Sequence, residues 1–479
     1  MADLSSYLRE LKEQHPDEII EVNREIDARF QATAILLKLH RFRLNELPIV
    51  MLNNVRTTGG KLSPVPVVLN LWGSRRRWGW MLNTSPEGVA AAIRERISSN
   101  KKSPVVVPKA DAPVREVVKT GAAVNLEELP ALVAWRLDPG PYVNAGAFLC
   151  YDPDSGSDNS AILRGWLKNR NEIPWYAHAH GHTDRIYSAY EARRQEMRAA
   201  FWVGHHPAPM KAAGLRIPFG ESHWEAMGAL ADEPIRLVPS ETLGDDFLVP
   251  ADAEYVIEGI VPVGERSPEG PYGEDWGHTG AQRLSPVLKV TGITHRRNPI
   301  WVNFITSQSS FLMDRRESTF RLEGVARVAK MVSPNVIAVR ESAIKGGFYV
   351  KIRRARQGEA KDIGLAAVSA IEGAKFVFVL DDDVDIDNDA EALWALGSRT
   401  QWDEDVVIIP GARGAGTDPS TPMDGVTTKV VIDATRPEPF EPRNSIPQAV
   451  AEEVHLRDFF PASFFESLAR RLVSELEVD

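Results

Sequence analysis

Cysteine is almost missing from this chain. Its 479 residues hold one, Cys150, which excludes an internal disulfide framework and any cysteine-rich zinc site. Long apolar runs are missing as well, and none approaches the ~18 residues that a membrane span needs. The stretch from Met1 to Pro16 is charged and lacks the apolar centre of a secretory signal. A cytoplasmic protein without a membrane partner is expected. Positive charge is not in excess: 56 Lys and Arg stand against 66 Asp and Glu, a formal charge of −10. Such a chain is a poor wrapper of nucleic acid, so no nucleic-acid partner is expected. Internal repeats and low-complexity segments are absent too. What is present is material for packed cores. Hydrophobic residues make up 43%, and the length suits two to four domains at roughly 100–200 residues each.

The chain divides by pattern. Leu4, Tyr7, Leu8 and Leu11 recur at helical spacing, and Pro16 stops that helix. A second helix is expected from Ala32 to Phe42, a strand from Val67 to Leu71 and a helix from Glu87 to Ile97. Prolines and charges between Lys101 and Pro113 mark a boundary, so residues 1–112 read as an N-terminal α/β domain. Residues 113–315 are dominated by short β-type runs punctuated by Gly, Pro, Asp and Asn, the pattern of a barrel or sandwich. One of these runs, Ala161 to Lys168, contains Arg164. Residues 316–345 read as a helical linker. Strands and helices then alternate through 346–479, which predicts a C-terminal α/β domain with a largely parallel sheet. Its tail is helical and amphipathic. Val454, Leu456, Phe459, Phe460, Phe464, Phe465 and Leu468 exceed what a tail can bury on itself. It either closes its own domain or joins a second copy, with a homodimer as the default.

Three constellations could carry chemistry. Glu269-Gly270-Pro271-Tyr272-Gly273-Glu274 sets two carboxylates five residues apart in a turned loop, with Glu265, Asp275 and His278 nearby. Two close carboxylates disfavour double ionisation, so one can hold a proton while the other stays charged. A solvated acidic turn would read the same way. Asn159 precedes the strand-like run Ala161 to Lys168 and Arg164 lies within it, where an arginine needs an anionic partner; a structural ion pair is the alternative. His178, Ala179, His180, Gly181 and His182 form a histidine run that could serve a Mn- or Mg-type ion shared with a phosphate. His223, between Glu221 and Glu225, is a further candidate ligand. His205 and His206 suggest no role. Asp381-Asp382-Asp383-Val384-Asp385 fails as a calcium loop, because Ile386 stands where glycine is required. It is expected to end a strand and cap the next helix.

Taken in order, these segments resemble the UbiD family of prenylated-FMN-dependent decarboxylases over nearly the whole chain. Asn159 with Arg164, His182 eighteen residues later, and Pro218-Phe219-Gly220 through Gly228 are similar to its segments. So are Val249-Pro250-Ala251-Asp252-Ala253-Glu254 with Glu258-Gly259, the Glu269–Glu274 loop, the Asp381 run, and Lys429 with Asp433-Ala434-Thr435. The resemblance implies a central split-barrel-like flavin-binding domain. It implies prenylated FMN, supplied by a separate flavin prenyltransferase, with its phosphate held through Mn2+ (or Mg2+) beside K+. Asn159 and His182 would be metal ligands. The family's third ligand is a glutamate, and His223 stands there, so His223, Glu221 or Glu225 must serve or metal binding is weakened. Lys429 would contact the phosphate. Arg164, Glu269 and Glu274 would be the catalytic network, with Glu274 as proton donor. The reaction implied is reversible decarboxylation of an aromatic or heteroaromatic acid of the pyrrole, furan or indole type, releasing CO2. Two competing readings are a metal-dependent hydrolase using His178, His180 and His182, and a non-catalytic flavin-binding scaffold.

Overall fold

The first helix shows how local chemistry starts the fold. Asp3 caps it by accepting the Ser6 N–H at 2.8 Å, and the Ser6 hydroxyl accepts the Asp3 N–H at 2.9 Å. Helix α1 (Leu4–Gln14) then buries Leu4, Leu8 and Leu11. The structure is a computed structural model that describes residues 3–41, 47–176, 181–215, 217–306, 319–353, 356, 358–371, 373–421, 425–440, 443–444 and 447–467. After α1 come β1 (Ile19–Val22), α2 (Gln31–Arg41), β2 (Ile49–Leu52), β3 (Val67–Leu69), α3 (Arg75–Leu82) and α4 (Val89–Ser99). The strands form one mixed sheet.

Glu18 is the polar centre of this region. It is buried and takes Arg77 at 2.7 Å and Arg76 at 2.6 Å, while Arg77 also donates to the carbonyls of Leu47 and Asn70. Glu18→Leu strands a buried guanidinium, so it should lower stability by about 3–5 kcal/mol. Urea denaturation measures this; a loss below about 1 kcal/mol would mean the pair is solvated.

The central part is built on an antiparallel sheet of eight strands. Its labelled strands are β4 (Ala147–Tyr151), β5 (Asp158–Ile162), β6 (Met197–Val203), β7 (Tyr255–Val261) and the long β8 (Arg283–His295). The pairing order is β5-β4-β6-β7-β8 and then Glu172–Pro174. The sheet stays open and does not close into a barrel. Two helices that β-type patterning concealed, α5 (His182–Ala192) and α6 (His223–Ala231), lie among these strands. Strand β9 (Trp301–Val302) returns to pair with β3, so the first sheet is completed by a later segment. One apolar core runs from Leu4 to Ile305.

The C-terminal module has its own apolar clusters. It contains α7 (Thr319–Val332), β10 (Val336–Glu341), β11 (Gly347–Ile352), α8 (Glu359–Ser369), β12 (Phe376–Asp381), α9 (Asp389–Arg399), β13 (Val406–Arg413) and β14 (Val426–Ala434). The sheet order is β10-β11-β12-β14-β13. Two expectations change here. Within residues 316–345, the segment read as a helical linker, the helix is present, but Val325, Ala329, Val336 and Val339 on α7 and β10 pack into the module's core. The sheet is mixed rather than largely parallel, because both edge strands pair antiparallel. The Asp381 run does end a strand, but Asn388 caps α9 and Asp381 and Asp383 instead hold buried Arg399. In the tail, Leu456, Phe459, Phe460 and Phe464 are exposed on the single chain, and Leu468 lies outside the described residues. Among the described residues no helix is long and apolar enough to cross a membrane.

Candidate active site

Arg164 does not sit inside a strand, as the apolar run suggested. It follows β5 and precedes the short strand Gly165–Trp166. A Cβ on Gly165 would lie 2.6 Å from Ile173 and 2.9 Å from Phe201, so the chain can press down there only with glycine. Glu269 ends the strand Arg266–Glu269, whose alternation buries Ser267 and Glu269 and exposes Arg266 and Pro268. Gly270, with φ of 81°, then turns the chain into Tyr272–Gly273, which pairs with Thr279–Gly280 as a hairpin. Glu274 lies just inside that hairpin.

These elements bring both carboxylates onto one guanidinium. Glu269 takes Arg164 as a two-pronged pair, Nε to Oε1 and Nη2 to Oε2, each at 2.9 Å. Glu274 Oε1 accepts Arg164 Nη1 at 2.5 Å. All three side chains are at least nine-tenths buried. The cation stands between the carboxylates, so the site is not the directly repelling pair that loop spacing alone suggested. Burial opposes the charge on Arg164, but Glu274 and Glu269 together outweigh it and hold its pKa above the ordinary arginine value.

A ring of tyrosines encloses the cluster. Tyr142 donates to Glu269 Oε1 at 3.1 Å and accepts the Gly270 N–H at 3.3 Å. The rings of Tyr272 and Tyr176 lie 4.4 and 4.5 Å from the Arg164 guanidinium carbon. Burial pushes the Tyr142 and Tyr272 hydroxyls well above the usual phenol range, which keeps them neutral donors. Asp138 fixes the hairpin by accepting the N–H groups of Gly273 and Trp135, both at 2.9 Å. The sequence reading missed Tyr142, Tyr176 and Asp138. They carry no motif, and Glu269, Gly273 and Arg283, which Tyr142, Asp138 and Tyr176 meet, lie far along the chain.

A second group gathers at the start of β5. Asp158 accepts Ser222 Oγ at 2.5 Å and Trp224 N–H at 3.1 Å, which fixes the first turn of α6. Asn159 Nδ2 donates to Thr183 Oγ1 at 2.9 Å, which ties it to the first turn of α5. His182 and His223 therefore open two helices anchored to neighbouring residues of one strand. His223 is buried, its Nε2 is 3.4 Å from the Leu215 carbonyl oxygen, and its Nδ1 has no partner. Burial holds its pKa down to about 4, with His182 adding to the effect, so the ring is neutral at pH 7. Glu221 pairs with Lys101 at 2.8 Å, and Glu225 faces Ser103. Of the three alternatives for the missing glutamate, His223 is the one that is buried beside His182. Asn159 offers an amide oxygen and His223 an unpartnered ring nitrogen, with His182 opening the neighbouring helix. The set can ligate a divalent ion but carries one negative charge fewer than a glutamate in place of His223 would give. The α5 N-terminus has no side-chain cap and Arg185 one turn in, which suits a phosphate.

Other candidates fall elsewhere. Lys429 is buried in the C-terminal module and donates to the carbonyls of Val368 at 2.8 Å and Ile371 at 3.2 Å, so its ammonium serves the end of α8. His178 and His180 lie outside the described residues. Glu265 pairs with Lys289, and His278 is exposed. Buried Glu258 accepts the N–H groups of Glu241 and Thr242, and Glu254 accepts that of Ile300. His205 is buried and His206 half-buried, and desolvation lowers their pKa values to about 3 and about 4.

Comparison with known families decides the lineage. Three models match in order: the 3-octaprenyl-4-hydroxybenzoate carboxy-lyase N-terminal domain over residues 11–97, the Rift-related domain over 105–309 and the C-terminal domain over 321–434. This chain belongs to the UbiD family. UbiD membership makes it a carboxy-lyase. A phenolic acid decarboxylase of Sedimentibacter hydroxybenzoicus is 30% identical, with 92% of each chain covered. An anhydromevalonate phosphate decarboxylase of Methanothermobacter thermautotrophicus is 28% identical, covering 88% of this chain and 95% of that one. Among solved structures, the UbiD-class enzyme HmfF of Pelotomaculum thermopropionicum in complex with FMN superposes with a TM-score of 0.85 at 28% identity. That match covers 96% of this chain and 100% of the other. An evolved dimeric form of the same enzyme, in complex with prFMN, gives 0.83 at 26% identity with the same coverage. Decarboxylation fits this UbiD lineage; metal-dependent hydrolysis by the histidine run does not.

Proposed function

We propose that this chain is a prenylated-FMN-dependent, reversible decarboxylase of an aromatic or heteroaromatic carboxylic acid, with Glu274 as proton donor. The buried Glu269–Arg164–Glu274 cluster carries the reading. The chain also buries Arg399 between Asp381 and Asp383, so burial alone does not mark a site. The Arg164 cluster differs in lying within the Rift-related stretch with the Tyr142, Tyr176 and Tyr272 rings around it. Asn159, His182 and His223 would hold the divalent ion, Mn2+ or Mg2+ with K+ alongside, that neutralises the cofactor phosphate, and the α5 N-terminus would face that phosphate. When bound, the prenylated flavin would supply an electrophilic carbon that takes up the electron pair left on the substrate when CO2 departs.

The residues of this chain do the rest. Arg164 orients the substrate carboxylate and is itself fixed by the two-pronged grip of Glu269. The enclosed, tyrosine-lined site strips water from that carboxylate, which favours loss of neutral CO2. Glu274, tied to Arg164 through Oε1, delivers a proton from Oε2 to the carbon that CO2 leaves. Solvent reprotonates Glu274 for the next turnover. Raised CO2 drives the same steps backwards. The exposed apolar tail suits a homodimer, and a flavin prenyltransferase would supply the cofactor.

The test is CO2 release from a panel of pyrrole, furan, indole and phenolic acids, using protein co-produced with a flavin prenyltransferase. Turnover of at least one ring acid is expected. Turnover of non-aromatic acids alone would overturn the substrate class. For the ion, His223→Ala should lose most of its bound manganese by elemental analysis while remaining folded; unchanged metal content would remove His223 from the ligand set.

A further inference from the structure

We infer that Trp276 is a positioning residue, docking the hairpin that carries Glu274 onto the C-terminal module so that Glu274 meets Arg164 only while that module is seated. The inference rests on the proposed role of Glu274. Within the hairpin, Glu274 N–H donates to the His278 carbonyl at 2.8 Å and Gly277 N–H to the Glu274 carbonyl at 3.1 Å. A Cβ on Gly280 would lie 2.8 Å from Glu274 Oε1, so the carboxylate packs against the opposite strand and moves with it. The side of the hairpin at Gly273 is held by the central part through Asp138. The tip is held by the other module.

Trp276 makes that second attachment. Its ring lies 5.6 Å from Lys345 Nζ and 6.0 Å from Lys375 Nζ, a cation–π arrangement with two lysines. Lys345 Nζ also donates to the Asp275 carbonyl. Gly346, with φ of +76°, leaves the space the indole enters: a Cβ there would sit 2.7 Å from the Trp276 ring. Lys375 N–H donates to the Gly346 carbonyl at 2.7 Å, so the receiving surface is one hydrogen-bonded unit. A parallel thread reaches Arg164. Arg283 donates to Tyr176 Oη at 2.8 Å and to the Gly416 carbonyl at 3.3 Å, and the Tyr176 ring lies against Arg164. Both halves of the Arg164–Glu274 pair thus have a tie to the C-terminal module. A hairpin with two short paired segments has little of its own to hold a buried charge in place.

Hydrogen-exchange mass spectrometry on the full chain, paired with steady-state kinetics, tests this with Trp276→Ala and Trp276→Phe. In the alanine variant, amides of residues 274–280 should exchange about tenfold faster, with the rest of the chain unchanged. Its kcat should fall by roughly 10- to 100-fold while KM stays within about threefold. Phenylalanine should restore most of both. Unchanged exchange in the hairpin would overturn the inference. So would faster exchange with an unchanged kcat, or faster exchange throughout the chain, which marks general destabilisation. If wild-type protein turns over no acid, the proposed function fails, and the exchange pattern alone decides the docking. If the alanine variant does not fold, Lys345→Met should give the same localised change.

Discussion

Glu274→Gln yields a folded, cofactor-bound protein whose turnover falls by about 10²–10⁴-fold, the range of a lost general acid. Glutamine keeps the size of the side chain, and its amide oxygen can still accept the Arg164 Nη1 hydrogen bond made at 2.5 Å. It cannot release a proton to carbon. The loss should therefore appear in kcat with binding little changed, because substrate binding needs Arg164 and not the Glu274 proton. Melting temperature and bound-flavin content check the fold; single-turnover CO2 release checks the chemistry. Full turnover in this variant would remove Glu274 as the proton donor and return the role to Glu269 or to a water.

Arg164→Leu is the second large effect, and it combines stability with activity. The arginine is the cation shared by Glu269 and Glu274, which are 0% and 7% exposed. Removing it leaves two carboxylates buried together without a cation, and breaking a buried pair costs about 3–5 kcal/mol. Tyr142 still reaches Glu269, but a neutral hydroxyl does not replace the charge. Denaturant midpoints should fall accordingly. Activity should be undetectable even at low temperature, where the variant folds. Arg164→Lys separates the two roles: it keeps the charge and recovers much of the stability, but a point charge cannot reproduce the two-pronged grip on Glu269, so activity stays low.

Much of this was legible in the chain. The Glu269–Glu274 loop could be read because its function is written in adjacent residues: two acids, two glycines and a proline at short spacing. Arg164 could be singled out because a cation in an apolar run demands an anion, although its place after β5 could not. The breaks that free it come from Gly165 packing on Phe201, a contact between distant strands. Helices α5 and α6 escaped because short β-type runs surround them and their starts depend on Asp158 and Asn159 side chains. The 316–345 segment looked like a linker because α7 precedes the strand–helix alternation, yet β10 adds an antiparallel edge to the same sheet. Lys429 shows what order in the sequence leaves out. A lysine in a familiar segment suggested a phosphate contact, and no neighbouring residue signalled that its ammonium also donates to the carbonyls of Val368 and Ile371 at the end of α8. Residue type and order pointed to the catalytic cluster; the tyrosines enclosing it needed three-dimensional contacts to be seen.

Intact-complex mass spectrometry of protein co-produced with a flavin prenyltransferase tests the central claim most directly. The account predicts a bound species heavier than FMN by one isoprenyl unit, present in both wild type and Glu274→Gln. A folded protein that carries no flavin under these conditions would contradict it.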